Sequence, residues 1–212
     1  MTGAGKAISV ESTGDEALDL ILGGGIPAQS VNVIAGEPGS GKTIFTLEML
    51  FHAARQGKNS LYFTTLSEPA VKVIRYMQTF AFFDADLLDE KILFVDLGRF
   101  LREGAEATLS EITARVEQHE PRLVAIDSFR SVAELLRGEA QARPFIYDLA
   151  NQMAGWGATA LLVGEYSEAE YSSFAEFAVA DGIIRLGAKR HELTSVRELE
   201  VLKLRGASYV SG

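Results

Sequence analysis

Gly36-Glu37-Pro38-Gly39-Ser40-Gly41-Lys42-Thr43 is the stretch from which the fold of this chain can be read. It fits the pattern G-x-x-x-x-G-K-[ST] of a phosphate-binding loop. Its flanks fit as well. Ser30-Val31-Asn32-Val33-Ile34-Ala35 reads as a short buried strand, and Ile44 to Arg55 as an amphipathic helix with Phe45, Leu47, Met49 and Leu50 as apolar positions. A strand, a glycine-rich turn and a helix put successive backbone N–H groups and a helix N-terminus around one anion. The contacts to a nucleoside triphosphate are therefore expected along Glu37, Pro38, Gly39, Ser40, Gly41, Lys42, Thr43 and Ile44. Lys42 brings a positive charge to the β- and γ-phosphates. The Thr43 hydroxyl suits Mg²⁺, a hard cation that prefers oxygen.

Working outward, Gly14 to Leu22 reads as a short helix stopped by Gly23-Gly24-Gly25, after a polar lead-in over residues 1–13. Ser60 to Thr65 and Ile92 to Val95 read as strands. Glu68 to Phe80 and Thr108 to His119 read as helices. Leu123-Val124-Ala125-Ile126-Asp127 has the Walker B pattern, an apolar run ending in a carboxylate. A continuous apolar run suits a strand buried on both faces. An Asp at its carboxyl end emerges where open α/β sheets bind ligands, where it can hold a Mg²⁺-bound water beside Thr43. Gln141 to Ala154 is expected to be helical, Ala158 to Val163 a strand leading to Gly164-Glu165, and Phe174 to Val179 a short helix. Gly182 to Leu186 and Val196 to Leu204 suit a closing antiparallel pair. Strands alternating with helices imply an α/β fold with a mostly parallel twisted sheet flanked by helices. No repeat or linker divides residues 1–212, so one domain is expected.

The 212 residues are 47% hydrophobic and 23% charged, as in ordinary globular proteins. No apolar run is long enough to span a bilayer, and the amino terminus lacks the apolar core of a secretory signal. There is no cysteine, which excludes disulfides, thiolate metal sites and cysteine catalysis and agrees with a cytoplasmic protein. His52, His119 and His191 are scattered without metal-ligand spacing and read as surface residues. The net charge of −9 argues against a broad nucleic-acid face. The carboxyl-terminal segment is an exception, with Arg185, Lys189, Arg190, Arg197, Lys203 and Arg205 against three glutamates. Such a segment can meet the acidic face of a second copy or stand as a solvated hairpin.

Four further stretches narrow the reading: Leu18 to Pro27 (LDLILGGGIP), Leu61 to Pro69 (LYFTTLSEP), Leu123 to Phe129 (LVAIDSF) and Leu199 to Tyr209 (LEVLKLRGASY). With the phosphate loop, these resemble the KaiC-like branch of the RecA superfamily over residues 14–212. The resemblance implies a RecA-like P-loop core that binds ATP and Mg²⁺. It also implies a homo-oligomeric ring, with a hexamer favoured, and nucleotide between subunits. Members carry a Lys-x-Arg pair that reaches the neighbour's γ-phosphate. Lys203 and Arg205 match that pair, and residues two apart on a strand point the same way. The departure is at the catalytic carboxylates. Where the family commonly has two adjacent Glu, this chain has Ser67-Glu68 before Pro69. Ser67 can hold a water but is no base, which leaves Glu68 to handle the attacking water. The alternative for Glu68 is a first-turn helix residue favoured by the dipole. Glu165 falls near a nucleotide-sensing position of similar proteins, or is an exposed loop residue. Because the family's Lys-x-Arg-Gly strand is usually followed by more chain, this sequence is either a short version or one domain of a longer protein.

Three functions fit these residues. The first is a Mg²⁺-dependent ATPase in an oligomeric ring, with Lys42, Glu68 and, in trans, Lys203 and Arg205 as the catalytic set. The second is an ATP-gated assembly or signalling module with little turnover, whose nucleotide state sets contact with a signalling protein. The third is a recombinase-like DNA-dependent ATPase, against which the acidic charge counts.

Overall fold

The structure, a computed structural model, describes residues 8–66, 69–136, 142–191 and 194–210. In chain order the elements are β1 (Val10–Glu11), α1 (Glu16–Ile21), β2 (Ile26–Pro27), β3 (Val31–Gly36), α2 (Lys42–Arg55), β4 (Ser60–Thr64), α3 (Ala70–Met77), β5 (Ile92–Asp96), α4 (Gly98–Glu103), α5 (Ala105–His119), β6 (Leu123–Asp127), α6 (Phe129–Leu135), α7 (Ala142–Gly155), β7 (Thr159–Glu165), α8 (Ala175–Val179), β8 (Gly182–His191) and β9 (Thr194–Leu204). Seven strands form one sheet in the order β5-β4-β6-β7-β3-β8-β9. All its neighbours are parallel except the β8–β9 hairpin. This is the mostly parallel α/β architecture with a closing antiparallel pair that the sequence implied.

Strand alternation decides which residues face which layer. On β3, Val31, Val33 and Ala35 face α4 to α8, while Ile34 faces α2. Leu61 and Phe63 of β4 join the first layer and Tyr62 the second. Leu47, Met49, Leu50 and Phe51 of α2 are fully buried against the sheet. Each such side chain removed from water contributes about 1.5–3 kcal/mol, so α2 is held by its core face rather than by helix propensity.

Strand β7 lies between β3 and β6, so the strand before the phosphate loop and the strand ending in Asp127 are not neighbours. Their carboxyl ends still face a common edge, with Gly36 level with Glu165 and Asp127 level with Val163. Strand β8 pairs with β3 only from Gly182 to Leu186, then runs on to His191 with β9 alone. The hairpin thus overhangs the sheet on the phosphate-loop side.

The amino-terminal lead-in is more structured than expected. β1 pairs with β2, and Glu11 is buried beneath the sheet, bonded to Arg122 at 2.6 Å and Lys58 at 2.9 Å. Helices α4 and α6, absent from the sequence reading, are six and seven residues long. Too few turns are present in either to establish a hydrophobic period. His52 and His119 are half-buried rather than on the surface. His52 shares a 2.8 Å hydrogen bond with Gln56.

Candidate nucleotide-binding site

The phosphate loop leaves β3 at Gly36 and enters α2 at Lys42. A Cβ at Gly36 would lie 2.1 Å from the Leu186 carbonyl oxygen, so a side chain there cannot coexist with β8. Gly41 caps α2 with a φ of 100°, which L side chains rarely adopt. Among the described residues no side chain caps this helix, and its first turn holds no acidic residue. Its free N–H groups and dipole therefore favour an incoming anion.

The Lys42 ammonium donates to the Glu37 carbonyl at 2.8 Å and lies 3.4 Å from Ser40 Oγ. Burial pushes its pKa below the ordinary lysine value, a fall only partly offset by the nearby Glu165 and Asp127 carboxylates. The Thr43 hydroxyl donates to Asp127 Oδ2 at 2.6 Å, and Tyr62 donates to the same oxygen at 2.8 Å. Thr43 and Asp127 offer only oxygen, which fits a hard cation such as Mg²⁺ and not a thiophilic one. Among the described residues no three His, Asp or Glu gather to form a closed metal site, so water and phosphate would complete the shell.

These groups line an open cleft of about 580 Å³ that also takes in Arg130, Glu134, Glu165 and Arg197. The sequence reading had not placed Arg130, Glu134, Tyr62 or Arg197 here. Arg130 spans the gap from α6 to the segment after β7. It pairs with Glu134 and Glu170, each at 2.9 Å, and donates to the Glu165 carbonyl. Its guanidinium also lies over the rings of Tyr166 and Phe174. The Ser167 backbone N–H, then Arg130, hold the Glu170 carboxyl down at about 2. Arg197 arrives from the hairpin overhang, opposite Ala188. Its guanidinium lies 3.7 Å from where a Gly41 Cβ would stand, and it has no hydrogen bond or ion pair among the described residues. A lone Arg on a strand gives no signal in sequence; only the length of the overhang puts it over the loop.

Lys203 and Arg205 do converge, but not on this cleft. Lys203 donates to the Ala180 carbonyl, and Arg205 lies 3.4 Å from Asp181. Arg205 stands past the last residue of β9, so strand alternation is not what brings the two together. Burial, then the charge of Arg205, lowers the Lys203 pKa. Asp181 bonds the Val31 N–H at the opposite end of β3 from the loop. Elsewhere in the hairpin, Arg185 pairs with Glu200 and Lys189 with Glu198, so much of the segment's positive charge is neutralised internally. Glu68 and Ser67 lie outside the described residues.

The comparisons with known proteins bear on the whole chain. A family model described as "ATPase: KaiC" matches residues 11–211. The circadian clock oscillator protein KaiC of Synechococcus elongatus is 28% identical over 98% of this chain, which spans 42% of that protein's length. A UPF0273 protein of Thermotoga maritima is 31% identical over 93% of this chain and 87% of its own. Among solved structures, the KaiC-like protein PH0186 of Pyrococcus horikoshii superposes with a TM-score of 0.82. At 24% identity, that match covers 97% of this chain and 93% of the other. The phosphate loop facing Asp127, the strand order around it and the match from residue 11 to residue 211 place this chain in the KaiC-like family of ATPase domains within the RecA superfamily.

Proposed function

We propose that this chain binds ATP with Mg²⁺ and hydrolyses it to ADP and phosphate, between subunits of a ring built from copies of itself. The observation that carries this reading is the meeting of Thr43 and Asp127 at 2.6 Å in front of an uncapped helix N-terminus. In it, the loop N–H groups from Glu37 to Ile44 hold the phosphate chain. Lys42 leaves the Glu37 carbonyl for the β- and γ-phosphates. Thr43, and Asp127 through a water, would hold Mg²⁺, which would supply charge neutralisation of the phosphate oxygens. Arg197 adds a cation from the same chain. Glu68 orients the attacking water. Lys203 and Arg205 of the neighbouring copy stabilise charge on the transferred phosphoryl group. Their mutual proximity supports the role, since an incoming anion relieves the repulsion between them.

The test is phosphate release from ATP and Mg²⁺, for wild type and Glu68→Gln, at two protein concentrations. Turnover per subunit that rises with concentration and vanishes in the variant is the expected result. Tight ATP binding without turnover would replace this reading with an ATP-gated assembly module.

A further inference from the structure

Tyr62 is among the largest fully buried side chains and packs in the apolar layer on the α2 face. It rises from the middle of β4 on the α2 face, two strand positions before Thr64, which stands level with Asp127 across the β4–β6 ladder. The phenol ring packs on Phe94 with centroids 5.0 Å apart, which fixes where its oxygen points. The oxygen meets Asp127 Oδ2 at 2.8 Å, and Thr43 Oγ1 meets the same atom at 2.6 Å.

We propose that Tyr62 is a positioning residue for the divalent cation, acting through Asp127. This rests on the nucleotide-binding reading above and adds to it. A carboxylate on the lip of an open cleft can swing about its Cα–Cβ bond. Two donors on one oxygen hold the plane of the group at the edge of the cleft. Thr43 also donates, but its oxygen stands in the cleft and has a lone pair to offer the metal at the same time. The Tyr62 donor comes from the buried side, is set by packing and stays in place whether or not nucleotide is bound. Groups that orient a metal ligand from behind are commonly worth 10–100-fold in metal affinity. Asp127 reaches the metal through a water, which points to the lower end of that range.

The test uses Tyr62→Phe, which keeps the ring and removes one oxygen. A fluorescent ADP analogue is titrated onto the protein in the presence of chelator, and Mn²⁺ binding to the resulting complex is then followed by electron paramagnetic resonance. The expected result is Mn²⁺ binding weakened about tenfold, with the metal-free affinity for the analogue and the melting temperature close to wild type. In an Asp127→Asn background, Tyr62→Phe should change Mn²⁺ affinity little further, because its partner is gone. Unchanged or tighter Mn²⁺ binding in the single variant overturns the proposal, as does an equal loss in both backgrounds. A wild-type protein that binds no analogue overturns the nucleotide reading itself, before Tyr62 comes into question.

Discussion

Lys203 and Arg205 offer the sharpest test of how the site is completed. Both are tied to Ala180 and Asp181, at the base of β3, while the phosphate loop springs from its top. The six residues of β3 rise about 3.3 Å each, which separates the two ends by roughly 17 Å. No lysine or arginine side chain closes that gap within one chain. The pair must therefore serve a neighbour's nucleotide or none. Suppose Lys42→Ala chains, which keep the pair but lose the loop, are mixed in equal amounts with Arg205→Ala chains, which keep the loop but lose the pair. In a head-to-tail ring, about a quarter of the interfaces then join an intact loop to an intact pair. Each variant alone should be nearly silent in a phosphate-release assay. The mixture, after subunit exchange, should recover about a quarter of wild-type turnover per site. A mixture as silent as its components, with exchange verified by labelled subunits, would refute the reasoning.

Three further outcomes are expected. Gly36→Ala forces a Cβ to within 2.1 Å of a backbone oxygen of β8, so the loop must shift. Nucleotide affinity should collapse, with a stability loss of about 1–3 kcal/mol by thermal melting. Lys42, whose pKa burial lowers, should lose its proton below the ordinary lysine range in the free protein. Bound phosphate favours the charged form, so ATP binding takes up a proton there. Affinity measured by calorimetry should fall as pH rises through that range, and in Lys42→Met the fall should disappear. Glu11→Gln leaves Arg122 and Lys58 facing a neutral amide where they had a buried carboxylate. Because both cations remain partly solvated, the cost should be about 2–3 kcal/mol rather than the full cost of a broken buried pair. Denaturant unfolding measures it, and an unchanged midpoint would show that the ion pairs contribute nothing.

The central strands and the long helices were legible because their signals are local. The apolar run before Asp127 appears as β6, and the alternation of strands and helices as a parallel sheet. The loop was legible because it is contiguous in sequence and its chemistry needs specific residues at fixed spacing. What escaped depends on long-range placement. Glu11 reads as a polar lead-in residue until Arg122 and Lys58, far along the chain, arrive beside it. Arg130 carries no signal of its own until Glu165 and Glu170 are brought over from the end of β7. Tyr62 reads as one more apolar strand residue, since nothing in Leu61-Tyr62-Phe63 says that its oxygen ends at Asp127. Arg197 depends on the reach of β8 past β3, a length that the pattern ending at Leu186 understated. Lys203 and Arg205 lie near each other. What joins them is Asp181 and the turn out of β9, not the pleat.

Asp181 has one oxygen on the first N–H of the loop-bearing strand and the other near Arg205. That carboxylate is a shared terminal. If, as proposed, Arg205 turned to a ligand on another molecule, Asp181 would keep the Val31 N–H as donor and could settle more firmly on it. In the proposed ring, the base of the strand that leads into one site would thus register whether the next site along is filled. Traffic between sites would need no sliding of helices or reshaping of the sheet, only a change in how one side chain divides itself between two claimants.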